Sequence, residues 1–222
     1  MAAPLDIPLI LLGGGGHALV VIEALRTLSR PILGLYDDDP LCAAALPPEP
    51  VPVLGPLEKR TPVLDHPWVL CLGDLPLRAA LIARLRETDN HASTPHASTI
   101  HAPAEPIVHP TAWIAPSAHL GMGCFVGPMA VVQARARVGA HAILNTSSIV
   151  EHECVIGENC HLGPRSVLGG SVQLGSGSLV GIGATVLPGI RIGDGCLIGA
   201  GSVVRAEIPD AQRVAGVPAR PL

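Results

Sequence analysis

Glu151-His152-Glu153 sets a histidine between two carboxylates in a stretch that is otherwise poor in charge. From 108 to 204 the ionised residues are only Arg135, Arg137, Arg165, Arg191, Glu151, Glu153, Glu158 and Asp194. A carboxylate beside an imidazole fixes its tautomer and strengthens it as a base. The triplet therefore suits proton removal from an acceptor group, although a solvated corner would use the same residue types. A second chemical signal is Gly13-Gly14-Gly15-Gly16-His17-Ala18, which fits the G-x-G-x-x-G/A spacing with Ala18 in the last place. Backbone N–H groups at the start of a helix can hold phosphate there. Asp37 follows about 20 residues later, where an acid often meets a ribose. The same glycines would also serve a tight turn with no ligand. A dinucleotide needs two such halves and the N-terminal region supplies one, so a mononucleotide diphosphate is the better ligand.

The remaining reactive side chains point to packing. Cys42, Cys71, Cys124, Cys154, Cys160 and Cys196 form no CxxC, and the simplest setting for them is a reduced cytoplasm. Cys124, Cys154, Cys160 and Cys196 fall on inward positions of the repeat described below, which makes core packing a better role than nucleophile. His119, His141 and His152 are separated by 22 and 11 residues. Neither is a multiple of 18, so no metal site is expected. His119 and His141 read as surface histidines.

The elements that must position these groups follow from a repeat. Every sixth residue from Val108 to Val204 is Val, Ile or Leu, 17 in succession without a slip of phase. Gly often follows the aliphatic residue. The position four after it is small, as in Ala112, Cys124, Ala136, Ser148 and Cys160, with Val172 and Ile190 as exceptions. One hexapeptide makes a short strand and a turn, three make a triangular coil, and the whole stretch makes between five and six coils of a parallel β-helix. The period does not set its hand.

Residues 1–87 alternate differently. Strands are expected at Ile7–Leu12, Pro31–Tyr36, Val51–Gly55 and Trp68–Leu72. Helices are expected at His17–Ser29, with Val20, Ala24, Leu25 and Leu28 on one face, and at Leu75–Thr88, with Leu77, Leu81 and Leu85 in register. This is a Rossmann-like parallel α/β domain. The expected organisation is 1–87 for that domain, 88–106 for a polar connector, 107–205 for the β-helix and 206–222 for a C-terminal segment.

Composition closes off other classes. Of 222 residues, 48% are hydrophobic, 14% charged and 2% aromatic. That excludes disorder and requires a core of aliphatic layers. The net charge is −4 with one lysine and no basic run, which argues against nucleic-acid binding. The apolar stretches Pro4–Leu12 and His17–Leu25 are too short for a membrane span, and no signal peptide is expected.

Across nearly all of 7–222 the chain resembles the bacterial nucleotide-sugar acyltransferases of the sialic-acid O-acetyltransferase type. Within them it is most similar to UDP-4-amino-sugar N-acetyltransferases of the PglD type. The resemblance rests on Gly13–Ala18, Asp37-Asp38, Leu72-Gly73-Asp74, His109–Ala112, Asn145–Ser148, Glu151–Cys154, His161 and Gly216–Arg220. It implies a left-handed β-helix, a homotrimer and acetyl-CoA as co-substrate, with no metal. It implies direct acetyl transfer to the amine of a UDP-4-amino-4,6-dideoxy sugar. His152 would be the general base, Glu153 its partner, and Asn145 and His17 would lie near the sugar. Gly16, Asp37, Asp38 and Gly73 would contact the nucleotide. His161, Ile182 and Ala200, with Gly170, would line the acetyl-CoA site. A sugar hydroxyl as acceptor and a catalytically silent scaffold remain the alternatives.

Overall fold

The computed structural model describes residues 7–46, 48–57, 66–91 and 103–222. Most of the expected connector, including His96 and His101, lies outside them. The chain divides into two compact units, Met1–Ala104 and Glu105–Leu222.

In the first unit, strands β1 (Leu9–Leu12), β2 (Ile32–Tyr36), β3 (Val53–Gly55) and β4 (Trp68–Leu70) form one sheet in the order β3-β2-β1-β4. All pairs are parallel. Helix α1 (Gly16–Thr27) follows β1 and α2 (Leu75–His91) follows β4, as parallel pairing through helical crossovers requires. β1 is wholly buried at the centre. The strand order reverses between β1 and β4, so the crevice at their carboxyl ends is the place where such sheets hold ligands. The glycine loop and Gly73 flank it.

α1 sits rotated from the expected face. It buries Ala18, Val21, Ile22, Ala24 and Leu25, while Val20 is 37% exposed. Residues 18, 21, 22 and 25 make the standard core stripe of a helix. The helix is apolar nearly all round, so periodicity alone did not separate the two faces. In α2, Leu81 and Leu85 are buried as expected, with Ile82 beside them, but Leu77 is exposed. Arg78 of α2 is completely buried. Its guanidinium donates to the carbonyls of Leu72 at 3.0 Å and Leu70 at 3.3 Å, pinning the turn that carries Gly73.

In the second unit, seventeen two-residue strands run from β5 (Ile107–Val108) to β21 (Val203–Val204). They stack as three parallel walls beginning at Ile107, Trp113 and His119. The second residue of each strand points inward, and these aliphatics form one continuous core with Cys124, Ala130, Ala136, Ala142, Cys154 and Cys160. Each such side chain contributes roughly 1.5–3 kcal/mol by burial. Coils are tied by backbone bonds such as Phe125 N–H to Ala142 O at 2.9 Å and Ile143 N–H to Cys160 O at 2.8 Å.

The small inward residue has a second task at several corners. Cys124, Cys154 and Cys160 donate to the carbonyls of Gly139, Gly169 and Gly175, and Ser178 donates to Gly193. In each case a turn carbonyl 15 residues ahead gains a partner that alanine could not supply. At the far end, β22 (Arg213–Ala215) pairs with Leu197–Ile198. β23 (Arg220–Pro221) then folds back antiparallel on β22 and covers the sheet edge.

His141 departs from its expected surface position. It is 3% exposed, at a turn whose N–H is bonded to Met122 O on the preceding coil at 2.9 Å. His119 is exposed as expected.

Candidate active site

The β-helix positions its site residues by an 18-residue repeat. The turn after Ile149–Val150 carries Glu151, His152 and Glu153 at the corner between the second and third walls. Glu153 donates its N–H to Ala134 O one coil earlier, and His152 O receives the N–H of Ser171 one coil later. His152 is thus held directly over Gly170. A Cβ at position 170 would lie 2.5 Å from both Nε2 and Cε1 of the imidazole, so any larger residue would push the ring away.

The His152 side chain is 57% exposed and that of Glu153 43%. Nδ1 of His152 lies 3.2 Å from Oε2 of Glu153. An ionised carboxylate cannot donate, so this contact requires the proton on Nδ1 and leaves Nε2 as the basic atom. Glu153 Oε1 meets Arg135 at 2.9 Å. Reading the sequence missed Arg135 here, although its distance of 18 residues from Glu153 was a usable signal.

The other expected site residues of this unit lie elsewhere. Asn145, Ile182 and Ala200 occupy the corner between the first and second walls, and His161 opens a strand of the first wall. Asn145 Nδ2 is 3.4 Å from His161 Nε2, and Asn145 Oδ1 accepts the Thr146 N–H at 2.8 Å. Ile182 is 61% exposed. Its carbonyl takes the N–H of Gly201, next to Ala200, at 2.8 Å. One chain therefore presents two clusters, His152, Glu153 and Gly170 at one edge of the second wall, and Asn145, His161, Ile182 and Ala200 towards the other.

In the first unit the four glycines divide by role. Gly13 has φ +105°, and a Cβ there would strike Leu72; one at Gly14 would strike Cys42. Those two serve packing. Gly15 and Gly16 face open space, as does Gly73. The N-terminus of α1 has neither a side-chain cap nor an acid in its first turn, an electrostatic setting that suits an anion.

Asp37 Oδ2 accepts the Gly14 N–H at 2.6 Å and its Oδ1 the Asp39 N–H at 2.9 Å. Asp38 Oδ1 accepts the Leu57 N–H at 2.8 Å, and Asp39 Oδ1 accepts that of Leu41. These acids hold the loops that follow the sheet before they hold anything else. A pocket of about 440 Å³ opens beside Asp38, lined by Leu57, Leu77, Ala80, Leu81 and Arg84.

Comparison with known proteins adds the family. The bacterial transferase hexapeptide family (six repeats) matches residues 135–170 and 171–206, and the hexapeptide repeat of succinyl-transferase matches 153–188. No curated protein gave a match by sequence. Among solved structures, a mutant of perosamine N-acetyltransferase from Caulobacter crescentus in complex with CoA and GDP-perosamine is 35% identical. The match covers 97% of this chain and 96% of that one, with a TM-score of 0.83. The chain belongs to the PglD-type hexapeptide-repeat acyltransferases.

The acetyltransferase domain of PglB from Neisseria gonorrhoeae, in complex with acetyl coenzyme A, is 29% identical. That match covers 98% of this chain and all of that one, with a TM-score of 0.80. WeeI from Acinetobacter baumannii shares the fold at 21% identity and a TM-score of 0.66, over 97% of this chain and 99% of its own. The β-helix of this PglD-type enzyme is accordingly left-handed, as the resemblance implied, against the usual right-handed crossover. The reaction class of the family is acetyl-CoA-dependent N-acetylation of a sugar. Among the described residues no group of three or more His, Cys, Asp and Glu is assembled for a metal. No helix there is long and apolar enough to cross a membrane.

In this PglD-type chain Cys154 is fully buried, two residues from His152. Burial pushes its thiol up to about 11, so the thiolate needed for nucleophilic attack is scarce near neutral pH. Cys154→Ala is expected to keep most of the activity, and mass spectrometry of the enzyme under turnover is expected to find no acetyl-cysteine. A trapped acetyl-Cys154 would replace direct transfer with a two-step route.

Proposed function

We propose that this enzyme transfers the acetyl group of acetyl-CoA directly to the amine of a nucleoside diphosphate-linked amino sugar, with His152 as general base. The observation that carries this reading is the His152–Glu153 pair, exposed and oriented with Nε2 as its basic atom. The amine must be neutral to attack the thioester carbonyl. Nε2 accepts its proton as the tetrahedral intermediate forms or collapses, Glu153 steadies the resulting imidazolium, and CoA leaves as the thiol.

The first unit holds the nucleotide in this proposal. Gly15, Gly16 and Gly73 let a diphosphate approach the backbone and His17, in the first turn of α1, faces the sugar end. The pocket beside Asp38 takes the base, whose ring suits the leucine and alanine walls and whose polar edge suits Asp38 and Arg84. The resemblance pointed to a UDP-linked sugar, whereas the 35%-identical relative binds a GDP-linked one. Both belong in the test.

The enzyme works as a homotrimer in this reading. The second wall presents Val131, Ile149, Val167, Thr185 and Val203 outward and only partly buried, an apolar face whose two edges carry the two site clusters. A neighbouring copy laid along that wall would join the edge bearing His152 to one bearing Asn145, His161, Ile182 and Ala200, with CoA between them. The six free, buried thiols suit a reducing cytoplasm.

The test is a panel of UDP-, GDP- and dTDP-linked 4-amino sugars with acetyl-CoA, following release of free thiol. Light scattering on the same sample is expected to give about three times 22.8 kDa. One sugar nucleotide turned over well, with the acetyl group on nitrogen, supports the proposal. Acetyl on a hydroxyl would make this an O-acetyltransferase, and no turnover across the panel would favour a silent scaffold. A monomer would remove the intersubunit site.

A further inference from the structure

Arg135, Glu153 and Ser171 occupy one corner position on three successive coils, and Ala134, His152 and Gly170 occupy the position before it. The register is held by the N–H bonds of Glu153 to Ala134, Ser171 to His152 and Gly189 to Gly170, at 3.0, 2.8 and 2.8 Å. Arg135 and Glu153 both have left-handed backbone, φ 61° and 60°, so their side chains leave the corner in parallel, one coil apart. The Arg135 N–H is itself anchored on Ser117 Oγ at 3.1 Å. The guanidinium then reaches down to Glu153 Oε1 at 2.9 Å, while Oε2 of the same carboxylate faces His152 Nδ1 at 3.2 Å.

We propose that Arg135 is a positioning residue for acetyl transfer: it holds one oxygen of Glu153 so that the other is presented to His152. This rests on the reading of His152 as the base. A glutamate with one carboxylate oxygen unpartnered rotates through several conformers, and only some of them meet Nδ1. With Oε1 held from the coil above, the carboxylate keeps the conformer that orients the imidazole. Gly170 leaves the space on which the ring rests from the coil below. Arginine suits the task because its planar guanidinium fixes direction as well as charge. The coil below brings no ionisable group to this corner, since Gly169, Gly170, Ser171 and Val172 are all neutral. The charged residues of this corner and of the same corner on the coil above are Arg135, Glu151 and Glu153.

Arg135 is 71% exposed, so its effect is modest. Arg135→Met is expected to lower kcat by about fivefold, the upper end for an exposed ion pair, with KM for both substrates unchanged and the trimer mass and melting temperature retained. Arg135→Lys is expected to recover part of the loss. The decisive measurement is a double-mutant cycle with Glu153→Gln. If Arg135 acts through Glu153, adding Arg135→Met to Glu153→Gln costs nothing more. An equal loss in both backgrounds, a rise in either KM, or wild-type kcat in Arg135→Met would overturn the proposal. His152→Ala, assayed beside these variants, separates the two readings. Wild-type turnover there removes the base, whereas an inactive His152→Ala with a silent Arg135→Met removes only the positioning role.

Discussion

His152→Ala is expected to reduce turnover by about 10²-fold or more, the scale of general-base catalysis, with both KM values close to wild type. The split follows from geometry. His152 sits at an exposed corner, held by Glu153 on one side and Gly170 below. Its imidazole offers a proton acceptor without forming the wall of either expected binding site. Removing it leaves the substrates bound and aligned, so the residual rate measures orientation alone. The variant is expected to fold as wild type does, because the ring contributes nothing to the buried core. Steady-state kinetics with thiol detection, varying each substrate, makes the measurement. Wild-type turnover in the variant would reassign the base. A loss confined to KM would make His152 a binding residue instead.

The β-helix was legible because its signal is redundant. Seventeen inward aliphatics must share one phase, and a single exception would have shown. The same arithmetic contains more than the phase, since residues 18 apart are vertical neighbours. That rule spoke against a metal at His119, His141 and His152. Applied to 152 and 170 it places Gly170 under the imidazole rather than with Ile182 and Ala200. Applied to 135 and 153 it exposes the Arg135–Glu153 contact. It also separates Asn145 from His152, since seven residues is a little more than one wall and puts the two at different corners. The division of the candidate residues between two edges required the triangular geometry.

The first unit yielded less. Its strand–helix alternation was plain, but α1 carries Leu19, Val20, Val21 and Ile22 in succession, and no pattern tells which side meets the sheet. A fully buried arginine runs against the ordinary preference of that residue, so Arg78 could not be anticipated as the clamp on the Gly73 turn. His141 misled because it falls on neither of the two inward positions of the repeat, yet is buried. At Asp37 the spacing picked out a residue at the end of β2, but not its bond to the Gly14 N–H after β1.

That bond changes the reason behind the second large effect. Asp37→Ala is expected to raise KM for the sugar nucleotide about 5- to 150-fold, the range for losing a hydrogen bond of roughly 1 to 3 kcal/mol, and to leave KM for acetyl-CoA nearly unchanged. Asp37 need not touch the ribose for this to hold. Its carboxylate takes the Gly14 N–H at 2.6 Å and, through its other oxygen, the Asp39 N–H. One side chain thus ties the glycine loop after β1 to the turn after β2. Without it the Gly14 amide loses its acceptor, and Gly15 and Gly16 lose the anchor that aims their amides at a diphosphate. Asp37→Asn separates the two roles. An amide oxygen can still accept from Gly14, so a loss that asparagine largely repairs points to loop anchoring, whereas an equal loss in both variants points to a charged contact with the nucleoside. Acetyl-CoA provides the internal control, because its expected contacts, His161, Ile182 and Ala200, all lie on the β-helix. A rise in KM for acetyl-CoA, with the sugar nucleotide unaffected, would end the division of labour between the two units.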